Sequence, residues 1–133
     1  MQNARACTKY VRIPPRKARL AADLIRGLNV EDAVIQLMYS QLKGGKLLKK
    51  TLDSAVANAE TQLNIPRQKL MVKEVRVDAG PVLKRSKSKA RGGMVAIMKR
   101  TSHFTVIVEA QAEIETKAET KSKKRVTRRE GKK

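Results

Sequence analysis

Between Asp78 and Glu109 the chain contains no acid, yet Lys84, Arg85, Lys87, Lys89, Arg91, Lys99 and Arg100 all fall in that interval. Solvated loops usually mix charge signs, so a run of one sign this long points to an anionic partner. What these side chains can do is meet phosphates. Lysine does so as a point charge, and Arg85, Arg91 and Arg100 can do so through planar, two-pronged hydrogen bonds. Gly92 and Gly93 stand in the middle of the run, where a chain reversal requires positive φ or close backbone approach.

No other group of residues proposes a reaction. His103 is the single histidine and Cys7 the single cysteine, so neither a metal site nor an internal disulfide is expected. A strand histidine of this kind either touches RNA or is simply exposed. Asp23, Asp53, Glu60, Glu74 and Asp78 show no paired-carboxylate spacing, and salt bridges to neighbouring cations are the expectation. The sequence has no phosphate-binding glycine loop, dinucleotide fingerprint, nucleophile elbow or zinc spacing. The chain is therefore not expected to be an enzyme, and no catalytic residue, metal, cofactor or small-molecule substrate is nominated.

Charge distribution sharpens the reading. The 133 residues carry 31 Lys+Arg against 12 Asp+Glu, a formal net charge of +19. Residues 111–133 hold nine basic and four acidic side chains, a net of +5, which leaves +14 in residues 1–110. The excess lies mainly in the part with a folding pattern, and a folded basic surface implies a partner of defined shape. Nucleic acid is the leading candidate and a membrane surface the second. No apolar stretch approaches the ~20 residues of a membrane span, and the N-terminus has no signal-peptide core. Aromatic residues are limited to Tyr10, Tyr39 and Phe104, too few for a platform that stacks single-stranded bases.

These cations need elements to hold them. Residues 5–13 alternate as a short strand, with Cys7, Val11 and Ile13 expected on one side. Pro14 and Pro15 end it and suit the start of a helix. A helix is predicted over 16–26, burying Leu20, Ala21, Leu24, Ile25 and Leu28, with Arg16, Arg19, Asp23 and Arg26 opposite. Gly27 fits a left-handed C-terminal position. A second helix starts from Asn29 as N-cap, with Val30, Ala33, Val34, Leu37 and Met38 buried. Gly44 and Gly45 are expected to separate it from a third, which runs to about Leu63 and buries Leu48, Leu52, Ala55, Ala59 and Leu63. Lys46, Lys49 and Lys50 load the first turns of that helix with positive charge, which its dipole disfavours unless an anion is near.

From Leu70 the period becomes two. Leu70 and Val72 share one register and Val75, Val77 and Ala79 the other, so a bulge is predicted near Lys73–Glu74. Phe104, Val106 and Val108 then alternate with Thr105 and Ile107. Residues 80–103 are too many for a tight turn, and the two strands are expected to continue outward as a hairpin arm closing near Gly92-Gly93. Residues 111–133 are read as a basic, disordered tail that orders on RNA.

Five segments resemble one family in order and spacing: bacterial-type large-subunit ribosomal protein twenty-two. They are Tyr10-Val11-Arg12 with Pro15-Arg16-Lys17-Ala18-Arg19-Leu20, then Asp23-Leu24-Ile25-Arg26-Gly27, then Ser54-Ala55 with Asn58-Ala59-Glu60. Val77-Asp78-Ala79-Gly80-Pro81 with Leu83-Lys84-Arg85 is the fourth, and Lys99-Arg100-Thr101-Ser102-His103 the fifth. The resemblance covers about residues 4–109. The tip departs from the family pattern: Gly93 stands where arginine is usual, Met94 where alanine is usual, and Ser86 where a bulky residue is common.

The resemblance implies an α+β fold, with three helices packed on a small three-stranded antiparallel sheet and a long protruding β-hairpin. On this chain the globular RNA-binding domain would be 1–110, with the hairpin at about 80–103 and the tail at 111–133. It further implies a structural constituent of the large ribosomal subunit that binds 23S-type ribosomal RNA, aids assembly and lines the peptide exit tunnel. Neighbouring ribosomal proteins and the nascent polypeptide would be its other partners, close to where macrolide antibiotics bind. The expected location is the ribosome, in the cytoplasm or in an organelle. The RNA-contacting candidates are Arg12, Arg16, Lys17, Arg19, Lys46, Lys49, Lys50, Lys84, Arg85, Lys87, Lys89, Arg91, Lys99, Arg100 and His103. The tunnel-facing tip would comprise Ser88, Lys89, Ala90, Arg91, Gly92 and Gly93. The reading from a different class is a small basic DNA-architectural protein, which shares the charge and the arm.

Overall fold

A computed structural model describes residues 3–110. In chain order these form β1 (Asn3–Val11), α1 (Pro15–Asp23), α2 (Val30–Tyr39), α3 (Lys43–Leu63), β2 (Leu70–Ser88) and β3 (Met94–Ala110). Short 3-10 turns occupy Arg67–Lys69 and Ala90–Gly92. The sheet is antiparallel with order β1-β3-β2, so β3 is the central strand. Three helices on three strands is the predicted α+β arrangement. The tail at 111–133 lies outside the described residues.

Packing begins with the period-two pattern of β3. Phe104, Val106 and Val108 are buried, paired across the sheet with Val77, Val75 and Val72 on β2. Opposite on β1, Ala6 and Ala4 face Val106 and Val108. The predicted bulge is present as a register shift between Val72 and Glu74. It switches the buried parity from Leu70 and Val72 to Val75 and Val77. Ala79 continues that register but is exposed, because the core ends at Val77.

The β1 expectation fails for the same kind of reason. Ala4 and Ala6 are the buried strand residues, and Cys7 is exposed. Tyr10 has φ 59, and the register shifts between Thr8 and Val11. Parity therefore changes inside the strand: Ala4 and Ala6 face the helices before the bulge, Val11 and Ile13 after it.

α1 is shorter than predicted, and its buried face is rotated. It ends at Asp23, and the buried residues are Ala18, Ala21, Ala22 and Ile25, whereas Leu20 and Leu24 are 58% and 44% exposed. Alanines form the inner face because α3 comes very close. A Cβ on Gly44 would lie 3.3 Å from Ala21 Cβ and 3.4 Å from Ile13 Cδ1. Gly44 and Gly45 are thus inside the first turn of α3, where a small residue permits the helix crossing, and do not form the expected linker. α2 buries Val30, Ala33 and Leu37 but leaves Met38 exposed. α3 buries Leu48, Leu52, Ala55 and Ala59 as predicted, adds Val56, and packs Leu63 partly; Asn64 ends it with φ 52. After α1, Gly27 (φ 77) turns the chain so that its N–H donates to Val72 O at 3.1 Å.

Phe104 is the largest fully buried side chain. Phe104→Ala is expected to lower the free energy of unfolding by about 3–5 kcal/mol, measured by urea denaturation of the full chain. A loss under ~1 kcal/mol would contradict its central place in the core.

Candidate nucleic-acid interface

Past Ala79 the two-stranded ladder leaves the body. The register slips between Ala79↔Ser102 and Val82↔Arg100, so Gly80 and Pro81 together oppose Thr101. This is a bulge, and proline suits it because it has no N–H to contribute to a ladder. Thr101 Oγ1 donates to Pro81 O at 2.7 Å. A Cβ on Gly80 would stand 2.5 Å from that same Oγ1 and 3.2 Å from His103 Nε2. Glycine is required here by close approach, since its φ is not positive. The arm is thus locked at its root by a glycine, a proline and a buried threonine.

Beyond the root, Val82 to Leu83 pair with Arg100 and Lys99, and Lys84 to Ser88 pair with Met98 to Met94 in unbroken register. At ~3.3 Å per residue the seven residues from Val82 to Ser88 reach roughly 20 Å from the bulge. Every residue from 81 to 100 is exposed. Main-chain hydrogen bonds and the turn hold the arm, without a core of its own. At the tip Lys89 N donates to Gly93 O at 2.7 Å. Arg91 (φ 59) and Gly92 (φ 71) take the two left-handed positions. Closure falls where expected, but Gly93 has an ordinary negative φ and Arg91 takes the second left-handed position.

The candidate cations fall in several places. Lys84, Arg85, Lys87, Lys89, Arg91, Lys99 and Arg100 are all on the exposed arm. Arg12 follows β1, whose Val11 pairs with Ser102 near the arm's root. Arg16 and Lys17 open α1 and are exposed, as are Lys46 and Lys50 on α3. Lys49 is half-buried, beside Asp53 and Arg67 in a shallow groove between α2 and α3. Arg19 has a different position. Its Nε and Nη2 both approach Val77 O, at 3.4 and 3.3 Å, and Arg26 Nη2 donates to Val75 O at 3.2 Å. These arginines cover the outer edge of β2, where open backbone groups would otherwise invite another strand.

His103 is also engaged. Its Nδ1 accepts the Tyr10 N–H at 3.0 Å, and the two rings meet edge-on with centroids 4.9 Å apart. It ties the β1 bulge to β3, a role invisible in sequence because Tyr10 and His103 are far apart along the chain. Of the acids expected to pair, three do: Asp23 with Arg26 at 3.1 Å, Asp78 with Arg76 at 2.9 Å and Asp53 with Arg67 at 3.9 Å; Glu109 also pairs, with Lys73 at 2.6 Å. Apart from the half-buried Glu109 the partners are exposed, and surface pairs contribute about 0–1 kcal/mol each.

A cationic, coreless ladder rooted in a small α+β body defines a protein built to dock on a folded polyanion. Residues 6–109 match the family described as ribosomal protein L22p/L17e, and the chain belongs to that family. It is 72% identical over 108 residues to the large ribosomal subunit protein uL22 of Protochlamydia amoebophila, covering 81% of this chain and 97% of that protein. The proteins of the same name from Chlamydia abortus and Chlamydia pneumoniae are each 64% identical over 104 residues, or 78% of this chain and 94% of theirs. Nothing in these relatives supports the DNA-architectural reading.

The root geometry yields a direct test. Gly80→Ala is expected to cost about 1–3 kcal/mol of stability, because the new methyl must displace the Thr101 hydroxyl from Pro81. Gly93→Ala, whose Cβ would meet only Ala90 O at 3.6 Å, should change stability by less than ~0.5 kcal/mol. Equal melting points for the two variants would contradict the assignment.

Proposed function

We propose that this protein, a structural constituent of the large ribosomal subunit, inserts residues 81–100 between segments of folded ribosomal RNA and holds them together by neutralising their phosphates. One observation carries the reading: twenty consecutive exposed residues on a regular ladder, with seven cations and no acid. A β-ribbon with no core has little reason to remain extended in water, whereas RNA on both sides would supply contacts along its whole length. Arg12, Arg16, Lys17, Lys46, Lys49 and Lys50 extend the contact onto the body, and Arg19 and His103 hold the body's shape beside it. The domain of 1–110 is the RNA-binding unit, with the basic segment 111–133 appended.

By its family resemblance the tip, Ser88, Lys89, Ala90, Arg91, Gly92 and Gly93, lies at the wall of the peptide exit tunnel. There it has ribosomal RNA on one side and the nascent polypeptide on the other. Neighbouring ribosomal proteins are its remaining partners, and the ribosome of the cytoplasm is its location. Its contribution is positional rather than catalytic.

Phosphate neutralisation has a measurable signature, since each cation–phosphate contact contributes roughly 0.7–0.9 to the slope of log K against log salt. Replacing Arg85, Lys89 and Arg91 with Gln is expected to reduce that slope by about 2–3 for a large-subunit RNA transcript. Circular dichroism should remain that of the parent. Parental affinity and slope would defeat the arm reading. For the tip, a photo-crosslinking residue at Ala90 in assembled subunits should form adducts with nascent chains, and adducts to RNA alone would remove the tunnel assignment.

A further inference from the structure

The arm has two chemically different limbs. In its outer part every cross-strand pair sets a charged or hydroxyl side chain on β2 against an apolar one on β3. The pairs are Lys84↔Met98, Arg85↔Ile97, Ser86↔Ala96, Lys87↔Val95 and Ser88↔Met94. At the root the sense reverses, with Val82 opposite Arg100 and Leu83 opposite Lys99. Met94 and Met98 are 71% and 50% exposed, and Val95 and Ile97 are exposed as well. β1 pairs with β3 no further out than Ser102, so among the described residues the edge of β3 beyond it has no strand neighbour.

Met94 to Met98 cannot bind phosphate. They carry no charge and no side-chain N–H, and their contacts release no counterions. Five successive apolar residues on an exposed limb instead call for an apolar or aromatic surface. Directly paired residues have Cβ atoms only about 5 Å apart, so whatever lies along the arm is touched by both limbs. A nucleotide presents both chemistries at that scale: an anionic phosphate, and beside it a ribose and the flat face of a base. In a duplex the base faces are stacked away; in loops and junctions they are open.

We infer that the β3 limb, Met94 to Met98, is a second RNA-contacting surface that packs on ribose and unstacked base faces while the β2 limb holds the adjoining phosphates. Each outer pair then grips one nucleotide by two different interactions. The free backbone edge of β3 adds N–H and C=O groups that reach 2′-hydroxyls. The arm accordingly prefers RNA with open junctions over continuous duplex. This inference rests on the arm reading above but depends on different side chains.

The experiment compares full-length proteins: the parent, a cationic-limb variant (Lys84→Gln, Arg85→Gln, Lys87→Gln) and an apolar-limb variant (Met94→Ser, Ile97→Thr, Met98→Gln). Affinity is measured across a salt series for a large-subunit RNA transcript and for a perfect RNA duplex. The apolar-limb variant is expected to bind the transcript on the order of tenfold more weakly at every salt concentration, with the parental slope, and to lose preference for the transcript over the duplex. The cationic-limb variant should lose slope and keep that preference. Val95→Thr, which retains a β-branched side chain, serves as a milder second variant and should show the same pattern at smaller size. If both apolar-limb variants bind the transcript like the parent, the inference is wrong while the arm reading stands. The same holds if they lose affinity only when other ribosomal proteins are present, for then the limb's partner is a protein. If the cationic-limb variant keeps the parental slope, the arm reading itself is wrong.

Discussion

Everything in this molecule hangs on one strand. Among the described residues β3 is the only strand with two neighbours, and its inner half places Phe104, Val106 and Val108 in the core. Its outer half is one side of the arm. The same backbone ladder therefore serves two environments, one sealed by helices and one open on both faces. What separates them is side-chain chemistry: from Thr101 to Val108 every residue is buried or half-buried, and from 94 to 100 every one is exposed. The bulge at Gly80-Pro81, bound by Thr101, marks the change and keeps the direction of the outer ladder fixed by the inner one.

Charge is apportioned along the same boundary. Asp78 and Glu109 are the acids that bracket the arm in sequence, and each is held by a cation on β2, Arg76 and Lys73 respectively. Neither is left to draw the arm's own lysines and arginines back onto the body. The body's surface carries both signs, whereas the arm carries a single sign. The positive potential is therefore least offset along the arm, although cations are present almost everywhere on the surface.

Much of this was legible in the sequence, and what was missed has a common physical cause. The period-two run of Phe104, Val106 and Val108, the bulge near Lys73–Glu74 and the closure near Gly92 follow from alternation and turn chemistry, which are local. The buried stripe of α3 is legible because large residues recur on it. Errors arose where small residues do the packing. Ranking leucine above alanine turns α1 the wrong way, and a Gly-Gly pair reads as a linker although α3 needs Gly44 for its approach to Ala21. The parity change in β1 is carried by Tyr10 with φ 59, a residue that gives no local hint of a bulge. For the site, the cationic arm was plain from charge alone. The work of Arg19 and His103 was not, because their partners, Val77 O and Tyr10 N–H, become neighbours only in the folded chain.

The place of β1 in the sheet has a temporal consequence. β2 and β3 are joined by a tight turn and can zip from the tip inward as a hairpin. β1, by contrast, has its only extended partner in β3, with Asn3 opposite Glu109. Chains emerge in one direction, so the first strand to be made is the last to be paired. The body cannot close until the whole arm has been synthesised and folded back. The arm is thus the connection through which the domain completes itself, and until then the amino-terminal strand remains an unsatisfied edge.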